Sequence, residues 1–166
     1  MFSIVLQQWD NVLVWGLLAT VAMTALLSAS QSLGFSRMSM PFLFGTFVTA
    51  NRFKANIIGF AFFMLGGWVF TFLYFLVFAG TRIGTWWMGV LLGLGHGVFF
   101  LAAFLHVLPY VHPRMATEYH GPTALRQIEP PGVLGMNYGI RTPMVTMIAF
   151  LVYGGLLGGL YQIAQH

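Results

Sequence analysis

The chain has 166 residues and a net charge of +4, but only 6% of its residues are charged and 58% are hydrophobic. Because soluble domains carry roughly 25% charged residues, this composition excludes an ordinary water-soluble domain. The sequence contains no cysteine, which excludes disulfides, thiolate metal ligands and iron–sulfur clusters.

Long apolar runs separate the few charged residues, and each run reaches about 20 residues, the length that a helix needs to cross a bilayer. In hydrocarbon only helices and closed barrels satisfy the backbone, and the period-two alternation of barrel strands is missing. The sequence therefore predicts an all-α polytopic membrane protein, a four-transmembrane-helix bundle that forms a single membrane domain over residues 1–166. The predicted spans are residues 12–35, 55–79, 84–108 and 143–163.

The first predicted span carries polar side chains at the spacing i, i+4, i+8, i+11, which places them in one stripe along a helix. These side chains are Thr20, Thr24, Ser28 and Gln31. Small and hydroxylated residues let helices approach closely. A helix-packing stripe is therefore the favoured interpretation, and a substrate-lining face is the alternative.

The first connector, residues 36–54, has an apolar core that is too short to cross a membrane and is interrupted by Pro41 and Gly45. It is predicted to lie in the membrane interface or to dip back into the bundle. The second span is predicted to break at its glycines and tryptophan, residues 66–68, and residues 80–83 are predicted to form a tight turn.

The third and fourth spans repeat glycines on one face, a pattern that lets a neighbouring helix backbone come close. These glycines are Gly89, Gly93 and Gly97 in the third span and Gly154, Gly155, Gly158 and Gly159 in the fourth. The two spans are therefore predicted to form a tight crossing pair. Pro109 and Pro113 are predicted to end the third span, because proline cannot continue a helix without losing a hydrogen bond.

The third connector, residues 109–142, holds most of the titratable groups and is predicted to be an ordered segment between the third and fourth helices. Arg114 is expected to pair with Glu118 four residues later, and Arg126 with Glu129 before the two prolines. The side chains expected to contact a partner or lipid headgroups are His112, Arg114, Glu118, Arg126, Glu129, Asn137 and Arg141.

Basic residues are distributed unevenly over the connectors. The first and third connectors hold Arg37, Arg52, Lys54, Arg114, Arg126 and Arg141, and the second holds only Arg82. The positive-inside rule therefore places both long connectors, 36–54 and 109–142, in the cytoplasm and both termini outside. Since these cations serve as topological signals beside lipid headgroups, nucleic acid is not predicted as a partner.

Several stretches are distinctive: GLLATVAMTALLSASQSLGFSRMSMPFLFGT, GLGHGVF, and above all HPRM with GPTALRQIEPPG, NYGIRTPMVT and YGGLLGG. On these stretches nearly the whole chain resembles a family of small, uncharacterised bacterial membrane proteins with four predicted spans. The resemblance implies a four-helix protein of the bacterial inner (cytoplasmic) membrane, and it implies no activity. The family pattern has two intramembrane histidines and an acidic residue where this chain has Phe62 or Phe63, Phe150 and Ser39.

His96 lies near the middle of the third span, where an ionisable side chain is costly and therefore a functional candidate. One interpretation is a neutral imidazole bonded to a hydroxyl on another helix, with Thr24 as the expected partner. The other is a cofactor ligand or proton relay. His96 and Tyr153 are the candidate cofactor-binding residues, for a quinone or lipid headgroup between the third and fourth spans.

Haem and metal sites are disfavoured. No other span offers a histidine at the depth of His96, and a methionine in such a helix usually fills space. A second group of potential ligands comprises His106, His112, Glu118 and His120. Their spacing matches no helical ligand pair, and neither a nucleophile elbow nor a phosphate-binding glycine loop is present. No catalytic residue, metal or obligatory cofactor is therefore predicted.

The leading functional hypothesis is a non-catalytic accessory or structural subunit that packs in a larger bacterial membrane protein complex. Its expected partners are membrane lipids and other integral membrane subunits. The hypothesis depends on the large aromatic surface, on the lack of acidic residues inside the spans and on the predicted order of the third connector. The alternatives are a small redox or proton- or ion-handling protein that uses His96, and a quinone- or lipid-binding module.

Overall fold

The structure, a computed structural model, describes residues 8–117 and 122–163, and this part of the chain contains helices and no β-strand. In chain order the helices are α1 (Trp9–Ser32), the short α2 (Met40–Gly45), α3 (Arg52–Thr81), α4 (Trp86–Val111) and α5 (Thr142–Ile163). Four of them, all except α2, are long and apolar enough to cross a membrane. The prediction of an all-α protein with four potential membrane-spanning helices is confirmed.

Helix α1 ends at Ser32, three residues before the predicted boundary. The next glycine, Gly34, adopts a φ of +73°, a left-handed conformation that glycine accepts without a side-chain clash. The Phe35 N–H then turns back and donates to the Ser30 C=O at 2.9 Å. A glycine-based cap of this kind satisfies the last helical carbonyls and stops the helix.

Pro41 does not interrupt the first connector, so that prediction is wrong. It stands in the first turn of α2, where a missing N–H leaves no helical bond unmade. Ser39 caps the same turn, because its Oγ accepts a hydrogen bond from the Phe42 N–H at 3.4 Å. The connector therefore contains a short helix with the proline in its first turn, rather than a break.

Glycines let α2 pack directly on the beginning of α3. A Cβ added to Gly45 would overlap the carbonyl oxygen of Ala55, and a Cβ added to Gly59 would overlap that of Pro41. Only glycine therefore fits at either position. The second predicted interruption, Gly45, is thus a helix–helix contact.

Helix α3 continues without interruption through residues 66–68, so the predicted break is wrong. Gly67 faces the hydroxyl of Thr20 on α1, which a Cβ would overlap. Trp68 donates its Nε1–H to the Leu13 C=O at 2.9 Å. A glycine inside a helix costs only about 1 kcal/mol, so close packing and this hydrogen bond decide the outcome.

Helix α4 continues through Pro109 to Val111, so the prediction that Pro109 ends it is wrong. A π-helical turn, Phe100–Phe104, precedes the final helical segment, and local adjustments of this kind let an apolar helix tolerate proline. The helix ends before Pro113 as expected. His112 is extended, with φ −81° and ψ 120°, because a following proline disfavours the helical conformation.

The chain divides into two compact units. The terminal unit comprises Met1–Leu26, Met64–Gly97 and Met147–His166, and the connector unit comprises Leu27–Phe63 and Val98–Thr146. Each unit is assembled from segments that are distant in sequence. Neither unit therefore corresponds to a continuous stretch of chain.

The connector unit brings the first and third connectors together. The Arg37 N–H donates to the Tyr138 C=O at 2.6 Å, and the hydroxyls of Ser36 and Thr142 lie 2.8 Å apart. A bundle of four spanning helices requires its first and third connectors to share a side. The contacts between these connectors meet that requirement.

Candidate functional site

The glycine faces of α4 and α5 meet in the terminal unit. A Cβ on Gly89 would overlap the carbonyl oxygen of Gly154, and a Cβ on Gly154 would overlap that of Gly89. Gly93 likewise faces the carbonyl of Phe150 on α5, and Gly158 faces that of Thr85, the residue just before α4. These four glycines form the close crossing that the sequence pattern predicts.

The remaining glycines of the two faces are less tightly enclosed. Gly97 meets the side chain of Met147, and a Cβ on Gly155 would lie 3.1 Å from the side chain of Val90. At Gly159 the nearest neighbouring atom would be 3.9 Å away. The structure therefore places Gly159 at the edge of the crossing, where a small side chain fits.

The polar stripe of α1 does not form one packing face. Thr20 is only 1% exposed and donates to the Gly16 C=O at 2.7 Å, whereas Ser28 is exposed and the neighbouring Ser30 is buried. Eight residues rotate a helix by about 80° beyond two full turns, which carries Ser28 away from the face of Thr20. The prediction of a continuous stripe is wrong for this residue.

The other two members of the stripe have separate roles. Thr24 is half-buried and donates its hydroxyl to the Thr20 C=O at 2.7 Å. Gln31 donates from Nε2 to the Met38 C=O at 2.9 Å, and so fastens the beginning of the first connector. None of these bonds offers a polar group to a substrate.

His96 lies among aromatic side chains of the terminal unit. Its ring centroid is 3.9 Å from that of Phe70 and 4.5 Å from that of Phe150. Its Nδ1 is 3.4 Å from the Tyr74 hydroxyl. The imidazole thus meets a hydroxyl of another helix, but the partner is Tyr74 and not Thr24.

The described surroundings of His96 contain no second His, Asp or Glu side chain. Phe150, one of the positions where the family pattern has a histidine, packs against the imidazole instead. Among the residues that the structure describes, no three His, Asp or Glu side chains come together as a metal-binding group. The described cluster offers one imidazole and aromatic ring faces.

The Tyr153 hydroxyl is used inside the terminal unit. Tyr153 is 2% exposed, and its hydroxyl donates to the Gly67 C=O at 2.7 Å. The same hydroxyl lies 2.9 Å from Thr71 Oγ1. A phenol has one proton to donate, so in this geometry Tyr153 has none left for a ligand.

His112 is buried in the connector unit, where it contacts both the first and the third connector, and 3% of its surface is exposed. Its Nδ1 accepts the Arg114 N–H at 3.1 Å, so the ring proton resides on Nε2. Nε2 lies 3.2 Å from the Leu43 C=O and 3.1 Å from Thr46 Oγ1. Burial lowers the pKa of His112, and the neighbouring Arg114 cation lowers it further against the opposing effect of the Leu43 carbonyl.

The Arg114 side chain holds the end of α2. Its guanidinium donates to the C=O of Thr46 at 2.6 Å, of Phe47 at 3.1 Å and of Val48 at 3.5 Å. Carbonyls that follow a helix have no helical partner, so a cation there acts as a cap. The predicted pairing of Arg114 with Glu118 lies outside the described residues.

Glu129 pairs with Arg37 and not, among the described residues, with Arg126. The Arg37 Nη2–Glu129 Oε2 distance is 3.4 Å, and Arg37 also donates to the Asn137 C=O at 2.6 Å. The backbone of Arg126 closes a turn with Thr123 instead. The predicted Arg126–Glu129 pair is therefore wrong, because the first connector supplies the partner.

The end of the third connector is fastened by further contacts. Asn137 donates from Nδ2 to the Pro130 C=O at 3.0 Å, and the Arg141 guanidinium lies over the Phe35 ring at 5.0 Å. The hydroxyl of Tyr138 donates to the carbonyl of Glu129, and burial raises the pKa of Tyr138. These side chains order the connector in addition to any contact with lipid.

A cavity of about 440 Å³ opens in the connector unit between α2 and the third connector. Its polar lining includes Arg37, Ser39, Thr46, Arg114, Gln127 and Tyr138. No sequence pattern singled out Arg37, Ser39 or Thr46 as site residues. One available signal was that Arg37 and Arg114 are each the first cation after an apolar span.

Comparison of the chain with protein-family models, with curated proteins and with solved structures found no match. The resemblance to a four-span bacterial family therefore stays a prediction.

Proposed function

We propose that this protein is a non-catalytic accessory or structural subunit that packs within a larger bacterial membrane protein complex. The observation that carries the proposal is that its candidate reactive side chains bind the chain's own backbone. His112, Arg114 and Tyr153 each bind a carbonyl of another segment. Groups engaged in this way stabilise the fold, which accounts for them without a catalytic role.

The environments of His96 and His112 support a non-catalytic role. A general base or metal ligand needs an accessible nitrogen lone pair. The only lone pair of neutral His112 accepts the Arg114 N–H. His96 has its ring packed between Phe70 and Phe150 and its Nδ1 near a phenol. Both environments suit a structural role.

The third connector supplies a surface for a partner subunit. Three of its apolar side chains are largely exposed, Leu125 at 81%, Val133 at 74% and Ile140 at 84%. They belong to a segment outside the long helices that is ordered by its own hydrogen bonds. An ordered segment with exposed apolar side chains is typical of an interaction surface.

The proposed location is the bacterial inner membrane, with both long connectors in the cytoplasm. The four long apolar helices support a membrane location. The excess of basic residues in the first and third connectors supports the orientation.

The first test is extraction of the native protein in mild detergent, followed by size measurement, a visible absorption spectrum and metal analysis on one sample. We expect a colourless particle that contains this 18.4 kDa chain with other membrane subunits in fixed stoichiometry. A small particle with a haem absorption band or stoichiometric metal would contradict the proposal.

A pair of surface variants tests the interaction surface itself. Ile140→Lys places a charge on the exposed third connector and should release the chain from the complex while its helix content stays unchanged. The matched control is Ile83→Lys, which alters a 39% exposed isoleucine of the short second connector. Release by both variants or by neither would contradict a docking role for the third connector.

One observation favours a quinone- or lipid-binding alternative. Among the described residues, Nε2 of His96 has no hydrogen-bond partner, so it could bind a quinone carbonyl. His96→Ala distinguishes the two functions, with quinone content measured in the purified complex. Loss of assembly alone favours the subunit function, whereas loss of quinone from an intact assembly favours the alternative.

A further inference from the structure

The described lining of the connector-unit cavity carries an excess of positive charge. The charged residues among its described lining are Arg37, Arg114 and Glu129, which sum to +1. The Glu129 carboxylate neutralises part of the Arg37 charge across a distance of 3.4 Å. Because 49% of the Glu129 side chain is exposed, solvent screens this ion pair. Arg114 binds backbone carbonyls, and no described carboxylate pairs with it. The cavity therefore favours an anion.

Hydrogen-bond donors remain available on this lining. A guanidinium has five N–H groups, and the described bonds of Arg37 involve only Nη2. The described bonds of Arg114 involve Nη1 and Nη2, so its Nε–H takes part in none of them. Ser39 Oγ accepts the Phe42 N–H and keeps its own proton to donate. Phosphate oxygens suit such donors, because arginine binds phosphate through parallel hydrogen bonds.

The cavity also has an apolar wall. Phe42 and Leu43 contribute to it from α2, and Leu125 and Ile128 contribute from the third connector. A volume of about 440 Å³ lies in the range that holds a small organic ligand and exceeds the size of a bare phosphate ion. A ligand with an anionic group and an adjoining apolar part therefore matches the lining.

The two arginines lie close to the ends of long apolar helices. Arg37 is five residues beyond Ser32, the end of α1, and Arg114 is three residues beyond Val111, the end of α4. In a membrane-spanning bundle this places the cavity at the depth of the lipid headgroups. Phospholipids would then be the most abundant source of phosphate beside it.

We propose that this cavity is a binding site for a phosphate group, held between Arg37 and Arg114 and carried by an anionic phospholipid. Free phosphate offers the same chemistry and is the alternative source. This proposal does not rest on the accessory-subunit function. It concerns the lipid or phosphate that binds in the cavity and not the protein partners of the chain.

The test uses the full chain, purified and depleted of lipid in an uncharged detergent. Native mass spectrometry measures the binding of dioleoyl phosphatidylglycerol, dioleoyl phosphatidylcholine and inorganic phosphate. We expect phosphatidylglycerol to bind about tenfold more tightly than phosphatidylcholine, because the choline cation is repelled by the arginines. Arg37→Gln should reduce the affinity for phosphatidylglycerol about tenfold.

Two further variants test whether a loss of binding is specific to the cavity and to its arginines. Arg52→Gln removes an exposed cation at the beginning of α3 that does not line the cavity, so it should leave the affinity unchanged. Ala124→Trp fills the cavity from an exposed lining position and keeps both arginines, so it should weaken binding as Arg37→Gln does. Circular dichroism of each variant confirms that the helices remain.

The possible results separate clearly. Preference for phosphatidylglycerol that is lost in Arg37→Gln and Ala124→Trp supports the site and its lipid source. Binding of inorganic phosphate alone, lost in the same variants, supports the phosphate site and overturns the lipid as its source. Equal affinity for both lipids, or equal losses in Arg37→Gln and Arg52→Gln, overturns the proposal.

Discussion

The terminal and connector units of this protein are stabilised by different kinds of contact. In the terminal unit, helices meet at glycines such as Gly89 and Gly154, and aromatic rings fill the space around His96. In the connector unit, Gly45 and Gly59 also meet backbone carbonyls, and side chains such as His112 and Arg114 in addition bind the backbone of another segment.

This difference follows from the chemistry of each region. Apolar helices gain little from hydrophobic contact with each other in lipid, so close packing at small residues must supply their association. Connectors contain many backbone groups without helical partners, and these groups need donors and acceptors from side chains. Substitutions at Gly89 and at Arg114 should therefore cause damage by different mechanisms.

The largest effect is expected from Gly89→Ala in the terminal unit. Its Cβ would overlap the carbonyl oxygen of Gly154, and two backbones cannot yield as a flexible side chain can. We expect a loss of about 3 kcal/mol in the free energy of unfolding, measured by thermal denaturation in detergent. Gly95→Ala is the control, because nothing lies within 4 Å of its added Cβ. Equal loss in both variants would show that the crossing is not tightly packed.

Arg114→Met should be the most damaging change to the hydrogen bonds between the connectors. It leaves the carbonyls of Thr46, Phe47 and Val48 without the cation that binds them. We expect a loss of about 2 kcal/mol, with proteolysis of the first connector as the local readout. Arg52→Met removes an exposed arginine of α3 and serves as the control. An unchanged proteolysis pattern in Arg114→Met would rule out the capping role.

Acidification should weaken the connector unit through His112. Burial holds the pKa of His112 below its ordinary value of 6.5 in the folded chain. Below pH 6.5 the unfolded chain therefore binds more protons than the folded chain, and stability falls as the pH falls. Urea unfolding between pH 7.5 and 5.5 measures this slope. It should be reduced in His112→Gln, and an identical slope in the variant would assign the effect to other groups.

A moderate effect is expected from Tyr153→Phe. The variant removes one hydroxyl near the Gly67 C=O but keeps the ring, and Thr71 still lies 2.8 Å from the same carbonyl. We expect a loss of about 1 kcal/mol by thermal denaturation. A loss as large as that in Gly89→Ala would mean that hydrogen bonding, and not packing, stabilises the terminal unit.

The smallest effect is expected from Glu129→Gln. Its ion pair with Arg37 spans 3.4 Å, and both side chains are well exposed, at 49% and 70%. Exposed pairs of this kind contribute roughly 0.5 kcal/mol. Thermal denaturation in low and high salt should therefore barely distinguish the variant from the natural chain. A difference above about 1 kcal/mol would refute this estimate.

The sequence predicted the features that depend on local composition. Hydropathy located the four long helices, and the four-residue spacing of Gly89 and Gly93 indicated the face that meets α5. The predictions for Pro41 and Pro109 were wrong, because a proline breaks a helix only where the lost N–H has a partner and the ring has no room. Neither condition can be read from composition alone.

The connector site could not be predicted because its partners are far apart in the sequence. His112 meets Thr46 across 66 residues, and Arg37 meets Glu129 across 92. Pairing rules for neighbouring residues instead matched Glu129 with Arg126. Periodicity reports which residues share one helix face, but it does not report which two connectors fold against each other.

The π-helical turn Phe100–Phe104 acts as a one-residue insertion in α4. The wider turn winds this extra residue into nearly the same rotation, so deletion of one residue there would restore regular α-helical geometry and leave the following segment facing as it does now. Leu105 and Leu108 would stay buried, and His112 would keep its contact with the carbonyl of Leu43. The chain should therefore tolerate deletion of one residue in this turn better than deletion of one residue in the regular part of α4, where the following segment would rotate by about 100°.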